Sequence, residues 1–363
     1  MKYLDEFRDR RLAEALVRRI AQTSSGRLNL MEVCGTHTVT ILRNGIKQLL
    51  ADETNLISGP GCPVCVTSNQ DLDKAIAMAR HQGVILASFG DMMNVPGTSS
   101  NLQKERAGGR DIRMVYSAMD AVKSAKANPD KKVILLAIGF ETTAPTIASS
   151  ILEAHKQGLE NFLVFCIHKL IPPAMKALLE MGEINIDGFI CPGHVSAIIG
   201  SRPYQFIAQN YRIPCVVTGF EPLDVLQAIY MLILQRREGR CGVEIQYSRA
   251  VREEGNPTAS KLLGEVFEVC DAQWRGLGMI PGSGLKLRGK YERFDALKNL
   301  ELQIEDSREP QGCICGEILR GIKEPFECTL FGERCNPEDP VGPCMVSSEG
   351  TCAAYYKYNP RSE

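Results

Sequence analysis

Six of the fourteen cysteines are crowded near the carboxyl terminus, at Cys313, Cys315, Cys328, Cys335, Cys344 and Cys352. Thiolates are strong ligands for iron and zinc, and four of them can hold a four-iron cluster. The spacing differs from the compact Cys-x2-Cys-x2-Cys run of bacterial ferredoxins, so it does not identify the four ligands. Structural zinc is the alternative. Because six thiols exceed the four that either site needs, the surplus pair favours an iron–sulfur cluster with redox chemistry.

A second cysteine pair, Cys62 and Cys65, lies in the segment Gly-Pro-Gly-Cys-Pro-Val-Cys that begins at Gly59. A Cys-x-x-Cys pair can close and reopen as a disulfide. It precedes a predicted helix, whose amino-terminal dipole favours a thiolate on the first cysteine. Half of a zinc knuckle is the alternative, but no second pair follows at a suitable spacing.

Cys34 is followed three residues later by His37. A thiol and an imidazole at this spacing predict either a Cys-His nucleophile or two ligands of one metal ion. A buried cysteine and a helix-capping turn are the structural alternative. The other turn residues that could take part in chemistry are His168, His194, Asp91 and Glu141. Each belongs either to a functional site or to a structural turn, the core or a helix cap.

Short apolar runs alternate with helical patterns, which is typical of βαβ units and parallel sheets. We predict strands at 28–33, 55–58, 84–89, 133–138, 162–167, 188–190 and 215–218, and helices at 70–81, 144–156, 172–181, 222–237 and 258–270. In the amino-terminal two thirds of the chain, the residues that could take part in chemistry follow these strands directly. Ligands of open α/β sheets bind at the carboxyl ends of strands, so we expect these turns to converge on one cleft.

The expected fold class is α/β, with two Rossmann-like parallel-sheet domains and a smaller cysteine-rich iron–sulfur domain. We predict an N-terminal helix at 1–24 that packs on the C-terminal domain. The first α/β domain is predicted at 25–117, with Cys34 and the Cys62/Cys65 pair, and the second at 118–240. The iron–sulfur domain is predicted at 241–363. Gly139-Phe-Glu141 is echoed by Gly219-Phe-Glu221, which hints at duplication.

Composition excludes several classes of function. With 42 basic and 43 acidic residues there is no electrostatic footprint for nucleic acid or for an anionic membrane surface. The longest apolar runs are far shorter than the roughly 20 residues that span a bilayer, and the amino terminus lacks the apolar core of a secretory signal. We therefore expect a cytoplasmic protein, where structural disulfides are rare. Walker A, G-x-G-x-x-G and G-x-S-x-G motifs are absent from the sequence.

Several motifs together resemble the HypD family of hydrogenase maturation factors. They are Cys34-Gly-Thr-His37, Gly59-Pro-Gly-Cys-Pro-Val-Cys65, Gly90-Asp-Met92, Gly139-Phe-Glu-Thr-Thr-Ala-Pro-Thr146, Cys191-Pro-Gly-His194 and the tail Cys344-Met-Val-Ser-Ser-Glu-Gly-Thr-Cys352-Ala-Ala-Tyr-Tyr356. The resemblance runs from about Arg27 to the carboxyl terminus, and the order of the motifs is more specific than any one of them. It implies assembly of the Fe(CN)2CO group of nickel-iron hydrogenases, together with a small HypC partner and a HypE protein that supplies cyanide.

The resemblance also implies roles for individual residues. Cys34 matches the cysteine that holds the iron jointly with a HypC cysteine, with His37 beside it, and Cys62 and Cys65 match a redox pair in the same cleft. The tail matches a [4Fe-4S] site similar to that of ferredoxin:thioredoxin reductase. That likeness implies ligands Cys313, Cys328, Cys335 and Cys352, with Cys315 and Cys344 as the adjacent redox pair or alternate ligands. Val39 stands where some members have a second histidine, which argues against a two-histidine iron site.

Two other functions remain open at this point. A ferredoxin-linked thiol/disulfide reductase would use the same cluster and the Cys62/Cys65 pair, but it would not need Cys34 and His37. A zinc-stabilised binding module would contain zinc without iron or sulfide. The expected scaffold is an assembly platform with electron-transfer and thiol activity rather than a conventional turnover enzyme.

Overall fold

The computed structural model describes residues 5–359, and eleven strands lie within this range. They are β1 (Leu28–Glu32), β2 (Thr54–Ser58), β3 (Val84–Ser88), β4 (Ile112–Met114), β5 (Lys132–Ala137), β6 (Phe162–Cys166), β7 (Gly188–Pro192), β8 (Cys215–Thr218), β9 (Val243–Ile245), β10 (Phe267–Trp274) and β11 (Gly278–Leu287). All seven predicted strands are present. The sequence reading missed the short edge strands β4 and β9, because three residues carry little periodicity.

Sixteen α-helices connect or cover these strands in the described range. They are α1 (Arg10–Thr23), α2 (Gly35–Arg43), α3 (Ile46–Leu49), α4 (Pro63–Val66), α5 (Asn69–Arg80), α6 (Leu102–Ala107), α7 (Ala118–Ala127), α8 (Ala144–Lys156), α9 (Ile171–Met181), α10 (Gly193–Ile199), α11 (Pro222–Arg237), α12 (Pro257–Val266), α13 (Ala296–Asn299), α14 (Cys315–Leu319), α15 (Pro343–Val346) and α16 (Thr351–Tyr358). No helix among residues 5–359 combines the length and apolar character that crossing a bilayer requires.

The strands form two parallel sheets and one hairpin. The first sheet has the order β2-β1-β7-β8-β9, the second has the order β4-β3-β5-β6, and β10 pairs with β11 in an antiparallel hairpin. The predicted α/β class with parallel sheets is confirmed. The predicted single helix at 258–270 is wrong at its end, because α12 stops at Val266 and β10 begins at Phe267. Inward and outward residues alternate along much of β10, which is a strand period.

The predicted domain boundaries do not match the sheets. The chain places β1 and β2 in the first sheet, crosses to the second sheet for β3 to β6, and then returns to the first sheet for β7 to β9. Neither 25–117 nor 118–240 therefore contains a complete sheet, and β9, from the segment predicted as the iron–sulfur domain, joins the first sheet. Periodicity locates a strand in the sequence, but its partners depend on side-chain packing across the whole molecule.

The N-terminal helix prediction also needs correction. Residues 1–4 lie outside the described range, and α1 packs against α11 rather than against the cysteine-rich tail. Ile20 is fully buried in the same apolar cluster as Leu226 and Ile229 of α11. The guanidinium of Arg8 donates to the carboxylate of Glu221 just before α11 begins. The apolar stripe of α1 thus covers one face of the first sheet.

One core joins the two sheets. It contains Met31 of β1 and Phe189 of β7 from the first sheet, and Leu136 of β5 and Phe165 of β6 from the second. Trp274 of the hairpin belongs to the same core. The outer faces are covered separately, by α1 and α11 on the first sheet and by α7 and α8 on the second.

The strand order of the first sheet creates a crevice. The chain runs from β1 to its outer neighbour β2 on one side, and from β7 to β8 on the other side. The connections that leave β1 and β7 therefore diverge, and they open a gap at the carboxyl ends of these two adjacent strands. Cys34 follows β1, and His194 follows β7. We call this gap the Cys34 crevice.

Candidate functional site

The backbone of Cys34 is held by the last residue of β1. Cys34 is the N-cap of α2 in an extended conformation, and its N–H donates to Glu32 Oε2 at 2.8 Å. The hydroxyl of Thr38, in the first turns of α2, donates to the other oxygen of the same carboxylate. Glu32 therefore ties the strand end to the helix start and fixes the direction of the residue between them.

Two glycines allow the neighbouring segments to approach Cys34. A Cβ atom on Gly61 would lie 2.1 Å from the backbone nitrogen of Cys34, and the N–H of Gly35 donates to the carbonyl oxygen of Gly61 at 3.1 Å. A Cβ atom on Gly35 would lie 2.2 Å from the carbonyl oxygen of Glu349 in the tail. The loop that carries Cys62 and the tail thus both pack directly against the Cys34 turn.

The thiol of Cys34 is neutral at ordinary pH. It is 7% exposed, and burial, followed by the carboxylates of Glu349 and Glu32, raises its pKa to about 12. Burial raises the pKa of Glu32 to about 7. A cation must therefore displace the proton before the sulfur can act as a thiolate ligand.

His37 lies behind Cys34 as a neutral, fully buried imidazole. Its Nε2 is 3.0 Å from the carbonyl oxygen of Gly219, so Nε2 carries the proton and Nδ1 is the bare nitrogen. Among residues 5–359 no group hydrogen bonds to Nδ1. Burial lowers the pKa of His37 to about 4. The Nδ1 atom therefore has a lone pair that no described group uses.

An aromatic stack connects the interior of the crevice to its mouth. The ring of Phe220 stacks on His37 at a centroid distance of 5.0 Å and on His194 at 3.8 Å. His194 is exposed, and burial of part of its ring lowers its pKa against the opposing effect of Glu349. The sequence reading left His194 between a site role and a structural role, and the structure places it at the crevice.

Three residues of the crevice were missed by the sequence reading as site residues. They are Glu32, Phe220 and Glu349. Phe220 had a signal, since Gly219-Phe220-Glu221 follows β8 as Gly139-Phe140-Glu141 follows β5. Glu32 and Glu349 had none, because an acidic residue at a strand end or in a tail is common.

The predicted turns follow strands of both sheets. Those after β1, β2, β7 and β8 meet at the first sheet, whereas Asp91, Glu141 and His168 follow strands of the second sheet. Glu141 accepts the N–H of Ile171 at 3.0 Å and so caps α9. His168 lies 3.1 Å from Thr143 Oγ1 through its Nε2. The strands that precede these turns divide between two sheets, and the convergence of all the turns on one cleft stays a prediction.

The Cys62/Cys65 pair occupies the loop beneath the Cys34 turn. Cys62 is the N-cap of α4, and its sulfur accepts the N–H of Cys65 at 3.3 Å. α4 has only four residues, so its dipole is much smaller than the sequence reading assumed. Cys65 is fully buried, and burial raises its pKa well above the usual value. Its sulfur is 4.0 Å from the carbonyl oxygen of Pro343 in the tail.

The six tail cysteines line one small apolar pocket, which we call the thiol pocket. Its walls are Cys313, Cys315, Cys328, Cys335, Cys344 and Cys352 together with Ile318, Leu330, Phe331, Gly342 and Met345. The Sγ atoms of Cys315 and Cys344 are 2.7 Å apart, in contact but longer than a disulfide bond. Cys344 is also a side-chain hydrogen-bond partner of Cys65. A continuous row of thiols thus runs from Cys62 through Cys65 and Cys344 to Cys315.

The arrangement of the thiols determines which metal centre the thiol pocket could hold. Within the described residues, no three His, Cys, Asp or Glu side chains surround one point in a way that could hold a single ion. A four-iron cluster differs, because each thiolate binds a different iron and the sulfurs need not converge. Gly342 provides space there, since a Cβ atom on it would lie 2.8 Å from the sulfur of Cys313. The apolar walls and the six thiols fit a cluster better than a lone zinc ion.

The thiol pocket and the Cys34 crevice are joined by two packed helices. α16 contains Cys352 in its first turn and packs along α2, which begins directly after Cys34. Leu42 of α2 is buried against Ala354 and Tyr355 of α16. The hydroxyl of Thr36 donates to Glu349 Oε1 at 2.7 Å. Glu349 itself lies between Cys344 and Cys352 in the sequence.

A wide groove opens beside the crevice between α1, α2 and α11. Thr36 and Phe220 form its inner end, and Val17, Val39, Leu49 and Leu226 provide its apolar surface. Its charged rim carries four arginines and two glutamates, namely Arg8, Arg10, Arg18, Arg43, Glu14 and Glu221. The groove thus combines an apolar floor and a mainly basic rim with direct access to the turn that carries Cys34.

Comparison with known proteins gives a consistent result. The family model named HypD, described as the hydrogenase formation hypA family, matches residues 11–359. The hydrogenase maturation factor HypD2 of Bradyrhizobium diazoefficiens is 48% identical over 371 aligned residues, covering 99% of this chain and 97% of that protein. The HypD proteins of Azotobacter vinelandii and Cupriavidus necator are 48% and 46% identical, each covering 99% of this chain, with 97% of their own lengths aligned in both cases. The chain therefore belongs to the HypD family of hydrogenase maturation factors.

Proposed function

We propose that this chain is a scaffold for maturation of nickel-iron hydrogenases, on which the Fe(CN)2CO group is assembled with its iron on Cys34. The observation that carries the proposal is the Cys34 crevice itself. A lone buried thiol lies at the divergence point of a parallel sheet, with a free imidazole nitrogen behind it and a dithiol loop packed against its backbone. Such a site suits a metal complex that is built in place rather than a resident ion.

The iron is the substrate of this scaffold. A thiolate is a strong donor that suits low-spin iron with cyanide and carbonyl ligands. Cys34 supplies one thiolate and a cysteine of a HypC-type partner supplies the other, so the group is shared between two proteins. Binding displaces the proton of the Cys34 thiol, whose pKa of about 12 keeps the site protonated without metal.

The groove between α1, α2 and α11 is the approach for the HypC-type partner. It leads to Thr36 and Phe220, so an apolar segment bound there ends beside Cys34. Its rim has an excess of arginines over glutamates, which favours a partner segment with acidic flanks. A HypE-type protein then presents the cyanide donor at the open mouth near His194.

A [4Fe-4S] cluster in the thiol pocket is the electron store. We assign its ligands to Cys313, Cys328, Cys335 and Cys352 by the likeness to the ferredoxin:thioredoxin reductase site. The adjacent redox pair is then Cys315 and Cys344, whose sulfurs lie 2.7 Å apart. A cluster held there would supply electrons one at a time from an external electron-donor protein. The assembly belongs in the cytoplasm, where cysteines such as these fourteen remain reduced.

The dithiol of Cys62 and Cys65 releases the cyanide. A thiocyanate-type donor accepts two electrons and a proton, its carbon–sulfur bond breaks, and it leaves as a thiol and a cyanide ion. The dithiol gives up two electrons and two protons and closes the Cys62–Cys65 disulfide, so one proton is left over. The thiol of Cys344 beside Cys65 attacks that disulfide and frees Cys62, and Cys315 then attacks Cys344 and frees Cys65. The Cys315–Cys344 disulfide that results returns to two thiols when it takes up two electrons and two protons.

Infrared spectroscopy tests the scaffold. The protein is purified without oxygen from cells that contain the whole maturation machinery. We expect cyanide and carbonyl stretching bands that disappear in Cys34→Ala while the iron and sulfide of the tail cluster remain. Cys270→Ala, a half-buried cysteine of β10 outside both sites, is the matched control and should retain the bands.

Bands that persist in Cys34→Ala would show that Cys34 does not hold the iron. A silent spectrum from a sample with an intact cluster and sufficient partner would instead favour the ferredoxin-linked thiol/disulfide reductase. One observation supports that alternative, since the row of thiols from Cys62 to Cys315 is complete without Cys34. Zinc in place of iron and sulfide would contradict both functions.

A further inference from the structure

The two charged groups that act most strongly on Cys34 are both carboxylates. Glu349 and Glu32 each raise the pKa of its thiol. Glu32 lies on the inner side, with one oxygen on the N–H of Cys34 and the other on Thr38. Glu349 lies on the solvent side, with its backbone against Gly35 and one carboxylate oxygen on the Thr36 hydroxyl. The proposed iron site is therefore flanked by carboxyl groups on two sides, of which Glu349 is the one on the solvent side.

The backbone holds Glu349 in place for this role. Its N–H donates to Ser347 Oγ at 3.2 Å, and a Cβ atom on Gly350 would lie 2.2 Å from the carbonyl oxygen of Cys344. The loop from Cys344 to Cys352 is thus a tight turn whose centre touches the Cys34 turn. The hydroxyl of Thr36 then fixes the carboxylate itself beside the Cys34 turn.

The charge of the iron changes during the proposed assembly. Ferrous iron enters as a dication, and with two thiolates it is neutral. Two cyanide ions then make the finished group with its thiolates a dianion, because carbon monoxide brings no charge. A fixed carboxylate attracts the first species and repels the last.

We propose that Glu349 is the positioning carboxylate that favours ferrous iron on entry and disfavours the finished anionic group, so that it promotes both loading and handover. This inference rests on the scaffold function, since the same iron passes through both stages. Glu32 contributes the same sign of charge from inside, but it also holds the backbone of Cys34. Glu349 is therefore the residue whose charge can be removed with less disturbance of the thiol.

The test is Glu349→Gln in the full chain with its tail cluster intact. Binding of ferrous iron is measured by anaerobic titration, and retention of the finished group is measured as the decay of its infrared bands after transfer to partner-free buffer. Removing one charge beside a doubly charged species changes the binding equilibrium of that species by about tenfold. We expect iron affinity to fall about tenfold and the bands to persist about tenfold longer.

The opposite signs distinguish an electrostatic role from a structural one. A structural role for Glu349 predicts that the variant loses both iron affinity and retention, and either that result or unchanged values overturns the inference. Thr36→Val keeps the charge of Glu349 but removes the hydrogen bond that holds its carboxylate. Iron affinity should therefore fall, and the bands should persist longer, by smaller factors than in Glu349→Gln. Glu338→Gln removes an exposed carboxylate of the same tail and should behave as the wild type.

A separate variant identifies a failure of the scaffold function. If Cys34→Ala keeps the infrared bands, the iron lies elsewhere and the scaffold proposal fails, whatever Glu349 does. If Cys34→Ala loses the bands while Glu349→Gln matches the wild type in both measurements, the scaffold stands and the role of Glu349 falls. Cluster iron and sulfide are measured in every sample to show that the variants are folded.

Discussion

Burial keeps the reactive groups around Cys34 uncharged. It raises the pKa of the Cys34 thiol to about 12 and lowers that of the His37 imidazole to about 4. Both groups are therefore neutral at pH 7, and neither needs a counter-ion while the site waits for metal. An ion that arrives creates the thiolate at the moment of binding, which protects the sulfur from side reactions that require the thiolate.

Glu141 provides a pH test of burial that is independent of the iron site. It is 3% exposed, and burial raises its pKa from 4.5 to about 7. The folded state therefore binds a proton more tightly than the unfolded state. This contribution to stability is complete below about pH 4.5 and is lost as the pH rises through about 7. Ionisation of the buried group costs about 3 kcal/mol above that range.

We expect Glu141→Gln to raise the melting temperature at pH 8 relative to the wild type and to leave it nearly unchanged at pH 4.5. Glutamine keeps the oxygen that accepts the Ile171 N–H but cannot ionise. Differential scanning calorimetry without oxygen at the two pH values provides the measurement. Glu160→Gln, at an exposed site, is the control and should show no such pH dependence. A variant that is equally destabilised at both pH values would show that Glu141 only caps α9.

Close contact between loops and helix starts builds the site at the level of elements. The Cys62 loop and the tail both touch the turn between β1 and α2, and only glycine fits at Gly61 and Gly35. The packing of α16 along α2 brings Cys352 of the thiol pocket to the same side of the molecule. The spacing between the thiol pocket and the Cys34 crevice is therefore set by packing between segments far apart in sequence.

Gly61→Ala should disturb the proposed iron site while leaving the rest of the fold intact. The added methyl group would lie 2.1 Å from the nitrogen of Cys34, so the backbone there must move. Overpacking of this kind costs about 1–3 kcal/mol of stability. We expect the infrared bands of the iron group to be lost while the cluster iron and sulfide remain.

The matched control for this change is Gly26→Ala. Nothing lies within 4 Å of an added Cβ atom at Gly26, so the same substitution should preserve the bands there. If Gly61→Ala retained full iron binding, the Cys34 turn would tolerate a shift, and the proposed need for close contact would be refuted.

The path of the chain at the level of the whole molecule links the two sheets. The second sheet is built from one continuous segment that is inserted between β2 and β7 of the first sheet. The interior strand β1 therefore pairs with β7, the central strand, more than one hundred and fifty residues later in the chain. Because these contacts join residues far apart in the sequence, the first sheet cannot form until the chain on both sides of the insertion has been synthesised.

A fragment of residues 1–117 should therefore not fold. It contains β1 to β4, but it lacks β7, the partner of β1, and β5, the partner of β3. We expect little helical or strand signal in its far-ultraviolet circular dichroism and rapid amide hydrogen exchange throughout. The full chain, measured in parallel, should show protected amides in β1 and β7. A fragment that unfolds cooperatively would instead support the boundary that the sequence reading placed at residue 117.

Periodicity and residue type were sufficient for the local features of this protein. They locate all seven longer parallel strands, the α/β class, and the cysteines that the structure brings together in the thiol pocket. These features depend on neighbours within a few residues, such as apolar runs, glycine turns and paired thiols. The division of strands between two sheets, the position of α1 on α11, and the carboxylates Glu32 and Glu349 beside Cys34 are decided by packing between distant segments. An ordinary acidic residue has no local signature, and its effect on Cys34 arises only when the fold buries both together.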